Sequence, residues 1–434
     1  GAFPSEANIT EITIPFVGSK VDVGSHFGYI FAGSKGSSMN ISGSTYIIPS
    51  TLKKVTVTKQ TFVPKNAFAE CANFEEIVLP TNITTIGENA FYHCSGLKQI
   101  NIGNEVESIG IYAFCGCSSL SRLNSEQDGV FNIPTGVIDI NYSSFKGCEL
   151  IEEVTIGTGV EYIAENAFAN CVKLRKFNSD KDNSIIIPDT VESISRGAFP
   201  SEANITEITI PFVGSKVDVG SHFGYIFAGS KGSSMNISGS TYIIPSTLKK
   251  VTVTKQTFVP KNAFAECANF EEIVLPTNIT TIGENAFYHC SGLKQINIGN
   301  EVESIGIYAF YGCSNLTEIK VPQNTEIKDY AFDETGIVKS KNGVIYIGGT
   351  LYKYNGTMPQ NYTLNINDGT VVVNKYAFQG CSGLTKIIFP NSLKRIETNA
   401  FKDCTSLAEL TIPNSVQKIG YQAFYGCNAL TSVS

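Results

Sequence analysis

The sequence contains no tryptophan, three methionines, four histidines and few charged residues for its 434 positions. Charged side chains make up 16% of the chain and hydrophobic ones 42%, which leaves ample apolar surface to bury and excludes an acidic disordered chain. The basic residues are dispersed and the net charge is −7. We therefore expect neither nucleic acid nor an anionic membrane surface as a partner.

Patterns that carry chemistry are also missing. No apolar run approaches the length of about 18 residues that a membrane-spanning helix needs. There is no G-x-S-x-G, no glycine-rich phosphate loop and no histidine pair on a helix. The four histidines occupy two positions and their copies, His26/His222 and His93/His289, and the position of His93 carries Gly, Asn, Asp, Glu or Ser in other repeats. No catalytic, metal-binding or cofactor-binding residue is predicted, and we expect that the chain is not an enzyme.

The chain is rich instead in one short repeated pattern. Residues 86–97 read I-G-E-N-A-F-Y-H-C-S-G-L, and a close variant follows at residues 109–120. The phenylalanine of its Ala-Phe pair, here called the anchor, recurs most often after 23 residues. The anchors are Phe3, Phe68, Phe91, Phe114, Phe145, Phe168, Phe199, Phe264, Phe287, Phe310, Phe332, Phe378, Phe401 and Phe424. A fixed period of this length indicates stacked supersecondary units, that is, a solenoid.

Each repeat carries apolar residues at fixed distances from its anchor. Leu97, Ile100 and Ile102 follow Phe91 by six, nine and eleven residues, and the last two have the period of a strand with one buried face. Each unit is thus one short strand plus an irregular or 3₁₀-like return, too small to bury its own apolar side. The pattern predicts a right-handed superhelix with one continuous parallel β-sheet, forming a single domain over residues 1–434.

A larger duplication overlies the small repeat. Residues 1–114 and 197–310 are identical, and the first difference is Cys115 against Tyr311. A recent duplication, a gene conversion or an artificial repeat would explain the identity, and each extends the protein as a surface. Insertions are predicted near 17–48, 213–244 and 337–362. The first two hold a degenerate unit around Phe31 or Phe227 and then a Gly/Ser loop, residues 33–45 in the first copy. The third predicts a hairpin of residues 344–347 and 351–354 around Gly348-Gly349.

Eleven of the twelve cysteines lie three residues after an anchor. One interpretation is a ladder of small buried thiols, one per coil. The alternatives are disulfides or metal ligands. Parallel coils hold such Cα atoms close, but their Cβ vectors do not converge as a disulfide requires. Cys115 and Cys117 form the only close pair, and no histidine or second pair accompanies them, so a metal site is less well supported.

Two kinds of residue are candidates for a binding surface. The first lie between buried strand positions and should face out of the sheet as a mildly acidic stripe; they are Glu11, Glu76, Gln99, Asn101, Glu153, Glu207, Glu272, Glu318, Lys320 and Glu409. They form either an ordinary solvated face or a docking surface for a protein or glycan. The second are insertion aromatics, which either anchor a partner or cover the flank of the solenoid; they are Phe27, Tyr29, Tyr346, Tyr352 and Tyr354.

The repeat resembles a known family. Residues 407–430 read L-A-E-L-T-I-P-N-S-V-Q-K-I-G-Y-Q-A-F-Y-G-C-N-A-L, and they match the pattern of the BspA-like, or Treponema-type, leucine-rich repeats except for Leu410 in place of isoleucine. The resemblance covers nearly the whole chain. Its departures are the long insertions and the cysteine slot, which holds Glu6, Glu202 and Thr335 after three of the anchors.

The resemblance implies a bacterial or protist cell-surface protein that acts in adhesion, co-aggregation or contact with host proteins. It implies no catalytic residues and no cofactor. The expected partner is a host or extracellular-matrix protein, or else a glycan, and the expected state is a monomer without direct membrane insertion. Two rival functions are a rigid spacer that displays other domains and a glycan-binding module. The family's export signal and anchor are expected outside this segment.

Overall fold

The computed structural model describes residues 1–21 and 25–434 and divides them into two compact units, Gly1–Lys255 and Gln256–Ser434. Residues 22–24, part of the first predicted insertion, lie outside the described residues. Both units consist of parallel strands from successive coils, with very little helix. The predicted parallel β-solenoid is therefore confirmed.

The strands predicted in the repeats form parallel ladders, here called the front ladder, except after Phe310, where residues 316–322 form no strand. Its strands alternate as expected: Ile77 and Ile100 are buried and pair with each other, whereas Val78 and Asn101 beside them are exposed. In the first unit the strands are Glu11–Ile14, Lys54–Val57, Glu76–Val78, Gln99–Asn101, Arg122–Leu123, Val130–Asn132, Glu153–Thr155, Lys176–Phe177, Ser184–Ile186, Glu207–Ile210 and Lys250–Val253. In the second unit they are Glu272–Val274, Gln295–Asn297, Tyr362–Asn365, Leu384–Ile388, Glu409–Leu410 and Ser432–Val433.

The return segments contain a second parallel ladder, the back ladder, that the sequence pattern did not predict. Each of its strands has two residues, because only one buried residue per coil, such as Ile86 or Ile109, packs inward there. In the first unit the strands are Phe62–Val63, Thr85–Ile86, Ser108–Ile109, Asp139–Ile140, Tyr162–Ile163 and Ser193–Ile194. In the second they are Phe258–Val259, Thr281–Ile282, Ser304–Ile305, Glu326–Ile327, Val372–Val373, Arg395–Ile396 and Lys418–Ile419.

The insertions contain antiparallel hairpins. The predicted one in the second unit is confirmed as Gly343–Ile347 with Thr350–Asn355, and it follows a short α-helix, Gly336–Lys339. The segment expected to be a Gly/Ser loop is a hairpin too, Ser37–Ile41 with Ser44–Ile48, repeated at Ser233–Ile237 with Ser240–Ile244. The loop prediction was wrong because Ser42-Gly43 forms a two-residue turn in which both residues have positive φ, 50° and 80°.

The remaining elements flank the first two insertions. Short 3₁₀ helices span Phe27–Ile30 and Phe223–Ile226. Two-residue parallel pairs join Phe3–Pro4 to Phe31–Ala32 and Phe199–Pro200 to Phe227–Ala228. The degenerate unit around Phe31 thus pairs with the coil before it.

Most anchors stack their rings on those of neighbouring anchors in the core, whereas Phe3 is 41% exposed and contacts Phe31 instead. Phe68 and Phe91 stack with centroids 5.5 Å apart, and Phe91 and Phe114 with centroids 5.0 Å apart. In the second unit Phe287 and Phe310 repeat the contact at 4.9 Å. All of these stacked rings are fully buried. The offset-stacked contact supplements the burial energy of each ring, which explains why phenylalanine is constant at this position.

A three-rung backbone ladder, here called the turn ladder, joins successive Ala-Phe turns. The N–H groups two residues before the anchor, at the anchor and two residues after it donate to carbonyls of the next coil. For Phe91 the donors are Asn89, Phe91 and His93, with N–O distances of 2.8–2.9 Å. All three N–H groups donate to the next coil because the backbone of Asn89 and His93 adopts the left-handed conformation, with φ of 53° and 54°. This explains the His93 slot, since Gly, Asn and Asp adopt that conformation at least cost.

The cysteines form the buried ladder that the sequence predicts. Every cysteine is free, and all are buried except Cys381, which is half-buried. Each regular thiol donates to the carbonyl oxygen of the previous anchor, as Cys94 does to Phe68 at 3.0 Å and Cys117 to Phe91 at 3.1 Å. At the variant slot Thr335, the hydroxyl donates to the carbonyl of Phe332 at 2.6 Å. The position therefore favours a small donor side chain rather than a chemically reactive one.

Candidate functional site

The outward face of the front ladder carries a row of alternating charge. In register order, the row in the first unit is Glu11, Lys54, Glu76, Gln99, Arg122, Val130, Glu153, Lys176, Ser184, Glu207 and Lys250. Lys54 contacts Glu76 at 3.1 Å, and Lys176 contacts Glu153 at 3.4 Å. The predicted acidic stripe is wrong, because Lys54 and Lys250 of the degenerate repeats and Arg122 and Lys176 of regular repeats stand between the glutamates, and charges pair across strands.

None of the ten predicted sheet-face residues is buried, and eight of them lie on strands of the front ladder, whereas Glu318 and Lys320 lie outside any strand. Glu11, Asn101, Glu318, Lys320 and Glu409 are exposed. The other five, Glu76, Gln99, Glu153, Glu207 and Glu272, are half-buried because charged or long neighbours on adjacent strands cover them. Arg175 contacts Glu153 at 2.9 Å, and Lys181 contacts Glu207. These contacts remove free negative charge from the middle of the face.

Three of the predicted residues meet in one groove of the first unit, here called the first groove. The groove has a volume of about 480 Å³ and is lined by Glu76, Gln99 and Asn101 together with Val78 and the segment 124–126. That segment begins an insertion of eight residues, which lengthens the step from Phe114 to Phe145 to 31 residues instead of 23. Asn124 fixes it to the neighbouring coil, since its Oδ1 accepts from the N–H of Ile102 at 2.8 Å and its Nδ2 donates to Asn132. The insertion thus builds one wall.

The second unit contains an equivalent groove, here called the second groove, with a volume of about 500 Å³. Asn297 and Gly299 on its floor are the copies of Asn101 and Gly103 in the first groove. The walls differ because the identical blocks, residues 1–114 and 197–310, include the floor residues but end before the wall residues. Glu126 stands on the first wall, whereas Lys320 occupies the position of Asn124 in the second groove.

Two of the five candidate aromatics are core residues. Phe27 is fully buried and packs on Phe68 and Phe74, with centroids 5.6 and 5.3 Å away. Tyr352 is 2% exposed and packs edge-on against Phe332 at 5.9 Å. The hypothesis of surface anchors is therefore wrong for these two. The period-two pattern of a hairpin does not show which of its tyrosines enters the core.

The other three candidate aromatics reach the surface to different extents. Tyr29 is 52% exposed at the tip of the 3₁₀ helix. Tyr346 and Tyr354 are half-buried; the Tyr346 hydroxyl accepts from the N–H of Asn367 at 3.2 Å, and Tyr354 packs against Tyr362 and Phe378. The three hairpin tyrosines thus do not form one exposed cluster.

His26 is a structural cap. Its Nδ1 accepts from the N–H of Gly28 at 3.0 Å, and its Nε2 lies 2.8 Å from the carbonyl oxygen of Ala69. This arrangement needs a neutral ring that is protonated at Nε2. Burial lowers the pKa of His26, and the contact with Ala69 opposes that shift. Cys71 and Met39 complete the surroundings, with the Cys71 sulfur 3.9 Å from Nε2 and from the Met39 sulfur.

The described residues contain no group of three or more His, Cys, Asp or Glu side chains arranged to hold a metal ion. Across residues 1–21 and 25–434, no helix is long and apolar enough to span a membrane.

Three solved structures illustrate what the chain is similar to. A leucine-rich repeat protein from Bacteroides ovatus is 18% identical, with a TM-score of 0.40 over 88% of this chain and 90% of that one. A leucine-rich cell surface protein from Faecalibacterium prausnitzii is 21% identical, with a TM-score of 0.30 over 99% and 89%. A leucine-rich repeat protein from T. pallidum is 27% identical, with a TM-score of 0.17 over 38% and 57%.

The sequence matches no curated protein significantly. A family model does match, and its description is the BspA type leucine-rich repeat region, in six copies. The matched residues are 40–129, 61–182, 177–249, 236–358 and 345–434, which together span most of the chain. The match agrees with the anchor spacing, the stacked coils and the buried thiols described above. The chain therefore belongs to the BspA-type leucine-rich-repeat family.

Proposed function

We propose that this chain is a non-enzymatic scaffold on a cell surface that binds proteins of a host, a matrix or a neighbouring cell through the front ladder. One observation carries the proposal: the groove around Ile100, Asn101 and Gly103 on the outward face of the first unit recurs around their copies Ile296, Asn297 and Gly299 in the second unit. The repeat family supports it too, since its resemblance implies surface adhesion. The scaffold is proposed to act as a monomer, without nucleic acid and without inserting into a membrane.

The groove chemistry suits a polypeptide partner. Gln99 and Asn101 supply amide donors and acceptors, which match the groups of a peptide backbone. Val78 beside them is 36% exposed and offers apolar contact. The charged row around the groove is paired, so it favours orientation and partner choice more than affinity.

The rival function is a rigid spacer, which the paired charges of the row favour because they leave the face evenly solvated. Binding of the purified chain to immobilised extracellular-matrix proteins and mucin separates the two functions. The decisive variant carries both Asn101→Arg and Asn297→Arg, which place a long cation on the floor of each groove. Val172→Arg is the matched control, since Val172 is exposed in the turn after Cys171, away from the front-ladder strands.

We expect saturable binding to one protein that the double variant loses and the control retains. Binding that survives in the double variant would move the contact to Tyr29 or to another surface of the coils. Absence of binding to any immobilised protein would favour the spacer.

A further inference from the structure

The turn ladder is interrupted at one place inside the second unit. In a regular coil all three rungs are closed, as at Tyr308, Phe310 and Gly312, which donate to carbonyls of the next coil. The coil after Phe332 is replaced by the hairpin, and the next anchor is Phe378. Among the residues that the structure describes, the N–H groups of Tyr330 and Glu334 have no protein acceptor there, and the carbonyls of Lys375 and Gln379 have no protein donor.

The hairpin closes only the middle rung. The Tyr352 hydroxyl accepts from the N–H of Phe332 at 3.0 Å, and the N–H of Tyr354 donates to the carbonyl of Ala377 at 2.8 Å. A cleft of about 260 Å³ lies beside this bridge, here called the hairpin cleft. Its lining includes Tyr330, whose N–H group has no protein acceptor, and Lys375 and Gln379, whose carbonyl groups have no protein donor, among the described residues.

The cleft combines an aromatic wall with neutralised charges. The rings of Tyr330 and Tyr376 lie 6.4 Å apart, inclined by 22°. Lys375 contacts Asp329 at 2.8 Å, a contact that raises the pKa of Lys375. Lys353 lies 3.4 Å from Asp333, whose other oxygen accepts from the Tyr352 hydroxyl at 2.7 Å. Each carboxylate already has a cationic partner.

We infer that the hairpin cleft binds a neutral sugar ring, one pyranose unit of a glycan. The cleft offers donors and acceptors side by side, and sugar hydroxyls are both. An anionic ligand would compete with the aspartates for the lysines, and a cationic ligand would compete with the lysines for the aspartates. The hydroxyl groups of a sugar can instead form hydrogen bonds with the lysine and the aspartate of an intact pair. A continuous peptide strand is excluded because the hairpin occupies the middle rung. The volume is below the range of roughly 300–1,000 Å³ typical of drug-sized ligands, which fits a single ring.

Saturation-transfer NMR of the whole chain with methyl glycosides of glucose, galactose, mannose and N-acetylglucosamine tests this inference. Acetate and methylammonium serve as charged comparison ligands. Tyr376→Ala removes half of the aromatic wall, and Gln379→Leu changes an exposed side chain of the lining. Tyr112→Ala is the matched control, because Tyr112 has the same position before an anchor but lies in the first unit. The thermal unfolding midpoint of each variant establishes that it is folded.

We expect at least one glycoside to bind. Each cleft variant should weaken that binding at least about tenfold, equivalent to about 1.4 kcal/mol, and the control should leave it unchanged. If no glycoside gives a saturable signal, or if only the charged ligands do, the inference is overturned. Unchanged affinity in both folded cleft variants would also overturn it, because the sugar would then bind elsewhere. The outcome is independent of the protein-binding groove, which none of these substitutions touches.

Discussion

At the scale of single residues, the structure explains why a repeated cysteine needs no chemistry. The thiol is small, buried and oriented to donate to the previous anchor's carbonyl, as in Cys290 to Phe264 at 3.0 Å. Burial raises the pKa of these thiols, to about 12 for Cys313. A neutral, inaccessible thiol is a poor nucleophile, so the repeat tolerates one cysteine per coil without crosslinking.

Cys381 is the one thiol of the chain that is not buried. It is half-buried, and burial raises its pKa only to about 11. We expect iodoacetamide at mildly alkaline pH to modify Cys381 first in the folded chain, with the other eleven cysteines reacting only after denaturant is added. Peptide mass spectrometry over a time course measures the order. Early modification of Cys94 or Cys117 would show that the thiol ladder opens in solution.

At the scale of elements, the hairpin of the second unit substitutes for a missing coil. Its Tyr352 hydroxyl supplies the acceptor that the next Ala-Phe turn supplies elsewhere. Tyr352→Phe keeps the ring but leaves the buried N–H of Phe332 without a partner, so we expect a loss of about 1–3 kcal/mol in the free energy of unfolding. Urea denaturation measures the change. Tyr354→Phe is the control, because the Tyr354 hydroxyl makes only a long, exposed contact of 3.5 Å with Thr357; equal losses in both variants would contradict this role.

The 3₁₀ helix at Phe27–Ile30 depends on a neutral histidine. Because the folded state lowers the pKa of His26, the unfolded chain binds the proton more readily. The stability contributed by His26 is therefore complete above the unfolded value near 6.5 and is lost as the pH falls below it. We expect the free energy of unfolding to decrease between about pH 6.5 and pH 5, above the range in which most carboxylates titrate.

The duplication supplies an internal control for this histidine. His222 has the same burial and the same cap, with its Nδ1 accepting from Gly224 at 3.0 Å. His26→Gln should flatten part of the pH dependence, and adding His222→Gln should flatten more of it. Denaturation curves at fixed pH steps give the slopes. An unchanged slope in the double variant would assign the pH dependence to other groups.

The sequence predicts some elements well and others poorly, for physical reasons. The front ladder was predictable because most coils repeat the period-two pattern that Ile100 and Ile102 show. The back ladder was not, since a two-residue strand with one buried position has no period. The burial of Tyr352 depends on a gap left by a missing coil. The first groove was only partly predictable: outward direction follows from alternation, but convergence of Gln99 with residues 124–126 requires the fold of the insertion.

At the scale of the whole molecule, the exact repeat of residues 1–114 has a consequence for binding. The identical sequence gives two grooves that share Ile100, Asn101 and Gly103 or their copies Ile296, Asn297 and Gly299, whereas the wall residues differ, Glu126 against Lys320. A partner that recognises the floor therefore has two sites on one chain. A surface that presents many copies of the partner would be held more tightly than one copy in solution, through effective concentration alone.

This bivalency is testable with single substitutions. Asn101→Arg and Asn297→Arg should each halve the number of partner molecules bound per chain in solution and leave the affinity of the remaining site unchanged. On a densely coated surface, each single variant should dissociate at least about tenfold faster than the parent chain, because rebinding through the second site is lost. Titration calorimetry gives the stoichiometry, and surface-plasmon resonance at high and low coating density gives the dissociation rates. If one single variant abolishes all binding, the two grooves are not equivalent; the wall residues Glu126 and Lys320 would then decide which groove is used, rather than the floor that the duplication copies.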